Sequence, residues 1–131
     1  MPFHLYAHLS WTTWGRLPLI DQQVAGFLAP FLLAEAKRHS TPVVEIGIVP
    51  DHVHMLLELP PAYDVPRLVQ GLKGASARLA NRDGHSARKS LRWEPGYDLR
   101  SVGLRQLPNV TAYVRDQELK HGSPRPSGRV S

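Results

Sequence analysis

The sequence predicts a single α+β domain built on an antiparallel sheet, and three observations carry that prediction. Runs rich in β-branched and aromatic residues alternate along the chain with segments whose apolar residues recur every three to four positions. Two of the β-rich runs, Pro42 to Val49 and His52 to Leu59, are separated only by Pro50 and Asp51, a tight connection typical of a hairpin. At 131 residues the chain has room for one domain, which buries on the order of two thirds of its unfolded surface.

Taken in order, Phe3 to Trp14 is aromatic and β-branched with partial alternation and forms the first strand, which Gly15 to Leu19 breaks. From Asp21, a capping residue, to His39 the apolar residues Val24, Phe27, Leu28, Phe31, Leu32 and Ala36 fall on one helical stripe, with Pro30 expected to kink or delay the helix. The hairpin follows and ends at Pro60 and Pro61. Asp64 to Arg82 reads as a second helix, burying Val65, Leu68, Val69, Leu72, Ala75 and Leu79 and exposing Arg67, Lys73, Arg78 and Arg82. After a polar loop from Asp83 to Leu91 comes a short strand, Tyr97 to Val102. A third helix runs from about Pro108 to Lys120, with Gly122 as its stop. This order is the split βαββαβ pattern of ferredoxin-like folds, an antiparallel sheet with helices on one face, plus a C-terminal helix that carries Tyr113. Residues 1–122 make the expected domain and 123–131, made of Pro, Ser, Gly, Arg, His-free and ending in Val and Ser, a disordered tail.

Composition narrows the chemistry. The chain has no cysteine, which excludes thiolate metal sites, cysteine nucleophiles and iron–sulfur clusters. No uncharged apolar run approaches the roughly 18 residues of a membrane span and no secretory leader is visible, so a cytoplasmic location is expected. Charge is polarised along the chain: residues 1–65 hold 3 basic and 6 acidic side chains, residues 66–131 hold 13 and 5. Between Arg67 and Arg92 seven basic residues (Arg67, Lys73, Arg78, Arg82, Arg88, Lys89, Arg92) face one acid. Such a surface suits a polyanion, because each phosphate it neutralises releases condensed counterions. A solvated basic face is the plainer alternative.

The densest chemical signal is Asp51-His52-Val53-His54. Side chains alternate along a strand, so His52 and His54 share one face while Val53 and Met55 point to the core. Two imidazoles so placed can hold one metal ion, or stand merely exposed or hydrogen-bonded. In the last helix Tyr113, Gln117 and His121 recur every fourth residue on one face, with Leu107, Val110 and Val114 on another. Phenol, amide and imidazole match a nucleophile, a neutral oxygen ligand and a further donor, or else a solvated helix edge. Serine and threonine have no evident His-Asp partners and no glycine-rich phosphate loop exists, which leaves tyrosine as the candidate nucleophile.

Four segments in order, Pro50 to Leu57, Gly71 to Arg78, Trp93 to Gly103 and Tyr113 to His121, with Trp11 to Arg16 before them, resemble the single-tyrosine transposases of the HUH superfamily, the TnpA type of insertion sequences. REP-associated tyrosine transposases are close relatives of these. The resemblance covers nearly the whole chain to His121. It implies that His52 and His54 are a metal-binding pair, Gln117 the third ligand and Tyr113 the nucleophile, within a catalytic domain at 1–122. His121 matches the later of two family histidines, with Lys120 in place of the earlier; His121 and Asp51 are additional site candidates, Asp51 as turn cap or partner of a histidine. Two imidazoles, an amide oxygen and waters suit Mg²⁺ or Mn²⁺.

The implied activity is cleavage and rejoining of single-stranded DNA at insertion-element ends through a covalent phosphotyrosine. The implied partners are hairpin-bearing single-stranded DNA, with the protein nucleoid-associated when bound, and a second copy of the chain in a homodimer; the active site of such relatives is often shared between subunits, and the sequence leaves assembly within one chain or between two open. The basic stretch from Arg67 to Arg92 would grip the backbone, and His85, Trp93 and Tyr97 could stack on bases, with core packing as the alternative for Trp93. Two rival readings stand beside this one: a domesticated relative that binds hairpin DNA or RNA without cutting it, and a small metal-dependent hydrolase that uses His52 and His54 without the tyrosine.

Overall fold

A computed structural model describes residues 4–84 and 90–120, with side chains up to Asp116. The expected tail and residues 85–89 of the basic loop lie outside the described residues. The chain forms β1 (Leu5–Thr12), α1 (Gln22–Arg38), β2 (Val43–Val49), β3 (His52–Leu59), α2 (Val65–Gln70), a π-helical turn (Gly71–Ala75), α3 (Ser76–Arg82), β4 (Asp98–Val102) and α4 (Leu107–Lys120). The four strands make one antiparallel sheet in the order β2-β3-β1-β4, the ferredoxin-like arrangement. Among the described residues no helix is long and apolar enough to cross a membrane.

Local chemistry explains the boundaries. β1 stops at Thr12 because Gly15 and Arg16 adopt left-handed backbone, at φ 59° and 53°, and turn the chain away from the sheet. The Asp21 carboxylate accepts the amide of Val24 at 2.9 Å, satisfying a donor that the first turn of α1 cannot satisfy itself. Contrary to the expected kink or delay, α1 runs unbroken through Pro30. Pro30 and Gly26, whose carbonyl it cannot bond, both lie on the exposed side of the helix, where a missing bond costs least, while buried Leu28 and Leu32 pin the helix on either side. The second helix is continuous from Val65 to Arg82 in right-handed backbone, with its middle turn widened to π geometry.

The sheet is covered on both faces. On one, Ala7, Leu9 and Trp11 of β1 and Val53, Met55 and Leu57 of β3 pack with Leu28 and Leu32 of α1 and Leu72. Each fully buried leucine there contributes roughly 1.5–3 kcal/mol of burial free energy. The other face carries a smaller cluster in which Leu56 and Val102 meet Val114 of α4, with Leu107, Val110 and Tyr6 around them. So α1 to α3 share one face, as expected, and the C-terminal helix alone covers the opposite one.

What lets α4 lie so close is Gly47 of β2. A Cβ at that position would overlap the carbonyl oxygen of Val114, a backbone atom that a side-chain rotation cannot move aside. Gly47 pairs with His54 across the β2–β3 ladder, so the close approach falls level with that histidine. Gly47→Ala is therefore expected to destabilise the fold by about 1–3 kcal/mol, measured by urea denaturation, through forced displacement of α4. A conservative substitution on the exposed face of β2, Val44→Thr, should stay within about 0.5 kcal/mol of the parent.

Candidate active site

Alternation along β3 works as the sequence predicts. Val53 and Met55 are fully buried in the main core, and His52 and His54 point to the opposite face, under α4. Both imidazoles are more than nine-tenths buried, and their rings stand nearly perpendicular with centroids 4.5 Å apart. Burying such groups is costly unless each ring nitrogen is used. In His52 the Nδ1 lies 2.6 Å from the Oδ1 of Asp51. Asp51 is itself held in place: its backbone carbonyl accepts from the amide and hydroxyl of Thr13, at 2.9 and 3.2 Å, and its second carboxylate oxygen lies 3.5 Å from the Arg16 guanidinium. Asp51 thus both ends the hairpin turn and orients a histidine.

In His54 the Nδ1 lies 2.9 Å from Nε2 of His8, and the two rings lie end to end within 12° of parallel, with centroids 5.1 Å apart. His8 was not among the expected site residues. On β1 it is one histidine among aromatic and apolar neighbours, with no spacing that marks it. The signal that finds it is register: β1 pairs Ser10 with His54 and Thr12 with His52, which sets His8 one diagonal step from His54 on the same face. Burial pushes the His8 pKa below the usual histidine range, against the pull of Asp98 and with the help of Arg100, both on β4. A neutral His8 can accept a hydrogen bond.

α4 brings Tyr113 onto this constellation. Its ring meets His54 and His8 edge-on, with centroids 5.9 and 6.3 Å apart, and is about half exposed. Val114, the next residue, is fully buried, with Val110 and Leu107 packed beside it, so the helix is held by that apolar stripe and presents the phenol from the adjoining one. Gln117 stands one helical turn beyond Tyr113, its side chain outside those described, and His121 lies outside the described residues.

The basic residues are distributed differently from the expectation. α2 and α3, which carry Arg67, Arg78 and Arg82, pack on the face opposite the histidines. Arg82 is bound to Asp83 at 2.8 Å, an interaction that raises its pKa further. The Lys73 amine donates to the carbonyls of Glu94 and Gly96 at 2.7 and 2.6 Å, tying the segment before β4 to the π turn; burial lowers its pKa, with Glu94 opposing. Arg92 stacks over Trp14, 4.1 Å from the ring, at the end of the sheet near the histidines. Arg88, Lys89 and His85 lie outside the described residues. Trp93 packs edge-on against Trp11 and donates to the Ser76 hydroxyl at 3.1 Å, so it belongs to the core, whereas Tyr97 is exposed. On the histidine face itself stands a basic residue that the sequence pattern does not single out, Arg100, paired with His8 in the sheet.

Residues 2–117 match the profile of the family described as "Transposase IS200 like". The chain belongs to that family. This IS200-like chain is 30% identical over 122 residues to the ISDra2 transposase TnpA of Deinococcus radiodurans, covering 90% of its own length and 87% of the relative's. Its fold is similar to a crystal structure assigned as a transposase from Deinococcus radiodurans R1, with TM-score 0.69, 26% identity and 95% of each chain covered. It is also similar, with TM-score 0.69 and 13% identity over 93% of this chain and 73% of the other, to a REP-associated tyrosine transposase bound to a REP hairpin. The last likeness bears on the fold alone.

The position of Lys73 makes a specific expectation. Lys73→Met removes charge-assisted bonds to two carbonyls and should lower stability by about 1.5–3 kcal/mol in urea denaturation. DNA affinity measured against salt should keep its slope; a slope shallower by about one unit would instead reveal a lost phosphate contact.

Proposed function

We propose that this transposase cleaves and rejoins single-stranded DNA, with Tyr113 as the nucleophile and His52 and His54 as the protein's share of a divalent-cation site. The single observation that carries the reading is the phenol ring of α4 lying edge-on to buried His54, whose own ring stands 4.5 Å from that of His52, within one chain. The donor set fits such an ion. Each histidine has its Nδ1 engaged by a neighbour, Asp51 or His8, so in each Nε2 is the nitrogen suited to bond a cation. Among the described residues no third histidine or carboxylate completes a three-residue set, which leaves further positions to Gln117, phosphate oxygens and water. Imidazole, amide and water suit Mg²⁺ or Mn²⁺, with nitrogen ligands favouring Mn²⁺. Such an ion, when bound, polarises the scissile phosphate and offsets the charge that builds on it.

The remaining chemistry is the chain's own. A phenol is a weak nucleophile, so its attack depends on position more than on basicity. α4 supplies that position. The Tyr113 oxygen attacks phosphorus as its proton passes to solvent; the bond to the 3′ oxygen breaks, and that oxygen leaves as a hydroxyl after taking up a proton. The DNA 5′ phosphate stays on the tyrosine, which keeps the phosphodiester's energy and lets another 3′ hydroxyl reverse the step. The polarised basic charge of the second half of the chain, and the hairpin-bound state of the REP-associated relative, support a hairpin-bearing DNA strand as the substrate. The homodimer belongs to this reading too, with each subunit supplying its own tyrosine to its own histidines.

Tyr113→Phe should abolish the covalent adduct with a labelled single strand from the flanks of its own gene. Cleavage should fall by more than about a thousandfold, and stability should change by less than about 0.5 kcal/mol. Persistent cleavage by this variant would point to a hydrolase that needs only the histidines; a parent that binds the hairpin and never cuts it would point to a binding module. Mixing His52→Ala with Tyr113→Phe should restore no cleavage, whereas rescue would mean that subunits exchange their tyrosine helices.

A further inference from the structure

Every hydrogen bond between two neutral imidazoles needs one N–H and one lone pair, and this requirement gives His8 a role that the proposed strand transfer does not yet contain. The pair can be built in two ways. If His8 donates from Nε2, then Nδ1 of His54 accepts, the His54 proton sits on Nε2, and that nitrogen cannot bond a cation. If His8 accepts, His54 carries its proton on Nδ1 and offers the Nε2 lone pair. His52 faces no such ambiguity, since its Nδ1 meets the carboxylate of Asp51 at 2.6 Å, and an ionised carboxylate can only accept.

We propose that His8 is the positioning residue of the cation site, accepting the Nδ1–H of His54 at Nε2 and thereby directing the Nε2 lone pair of His54 toward the divalent ion. The inference rests on the site reading above. Its geometric support is independent of that reading: a 2.9 Å contact between the two nitrogens, rings end to end within 12° of parallel so that the contact lies in the plane of both, and the same His8 ring edge-on to Tyr113. A single side chain of β1 therefore touches both a metal-binding imidazole and the nucleophile's ring. The role needs an acceptor at this place rather than a titrating group, and that sets the choice of variants. In His8→Gln the side-chain carbonyl can accept from His54; in His8→Phe the ring fills the space and accepts nothing.

The test reads the tautomer first, on metal-free protein with ¹⁵N-labelled histidine, from long-range proton–nitrogen correlations. The parent and His8→Gln should show His54 protonated at Nδ1, and His8→Phe should shift it toward the Nε2–H form. Mn²⁺ titration of the same proteins should then give affinities within about threefold for the parent and His8→Gln, and about 10–100-fold weaker for His8→Phe. A parent whose His54 is protonated at Nε2 overturns the proposal, as does a folded His8→Phe that binds Mn²⁺ like the parent or a folded parent that takes up no Mn²⁺. Should His8→Phe fail to fold, the parent's tautomer and the His8→Gln affinity still decide. Mn²⁺ bound with the expected ordering, but with no covalent DNA adduct, would support the role of His8 and overturn the strand-transfer reading alone.

Discussion

The contact on which the candidate site depends is the bare backbone of Gly47 against the carbonyl of Val114. α4 has only a small apolar face with which to hold the sheet, formed by Val114, Val110 and Leu107 on Leu56 and Val102. A helix so lightly attached can be placed with accuracy only if it comes close, and a side chain on β2 would push it outward by a large fraction of its packing distance. Because Gly47 lies across from His54, the point of closest approach coincides with the histidine pair. The tyrosine is therefore located by packing of its neighbour, and the phenol itself is left half exposed for a substrate to reach.

The two faces of the sheet divide the work between stability and chemistry. On the side of α1 to α3, alternate residues of β1 and β3 build a large apolar cluster. On the α4 side, the same strands bring buried His52 and His54 beside half-buried His8, Ser10 and Thr12, and a buried polar group costs free energy unless hydrogen bonds answer it. The answering groups come from separate parts of the chain: Asp51 from the hairpin turn, Thr13 and Arg16 from the turn after β1, His8 from β1 itself. Such a network gives rigidity to the histidines at the expense of apolar burial, and the opposite face is large enough to carry that loss.

Those physical origins separate what the sequence discloses from what it does not. The His52 and His54 face, the core positions of Val53 and Met55, and the split of α4 into a Tyr113 stripe and a Val114 stripe all follow from local periodicity, and all are legible in the residues. So is the strand order, once hairpin and helices are placed. His8, Gly47 and Lys73 are different, since the role of each is set by a partner dozens of residues away. A lone histidine on a strand, a glycine in a β-rich run and a lysine on a helix have no local signature for a diagonal neighbour, a helix backbone or a pair of carbonyls. The 67–92 stretch shows the same limit: its charge is plain, yet only the packing of α2 and α3 reveals that much of it lies across the sheet from the histidines.

That separation changes how a polyanion would be held near Tyr113. A strand at the histidine face cannot contact Arg67, Arg78 or Arg82 without passing around the end of the sheet, where Arg92 rests on Trp14. Closer to hand is Arg100 on β4, paired with His8, with the Asp98 carboxylate 3.0 Å away. A solvent-exposed pair of this kind is worth about 0–1 kcal/mol, so the carboxylate holds the guanidinium only weakly. In the proposed reaction this favours a surface that grips a passing strand without fixing it, consistent with a chemistry in which one strand must leave and another take its place.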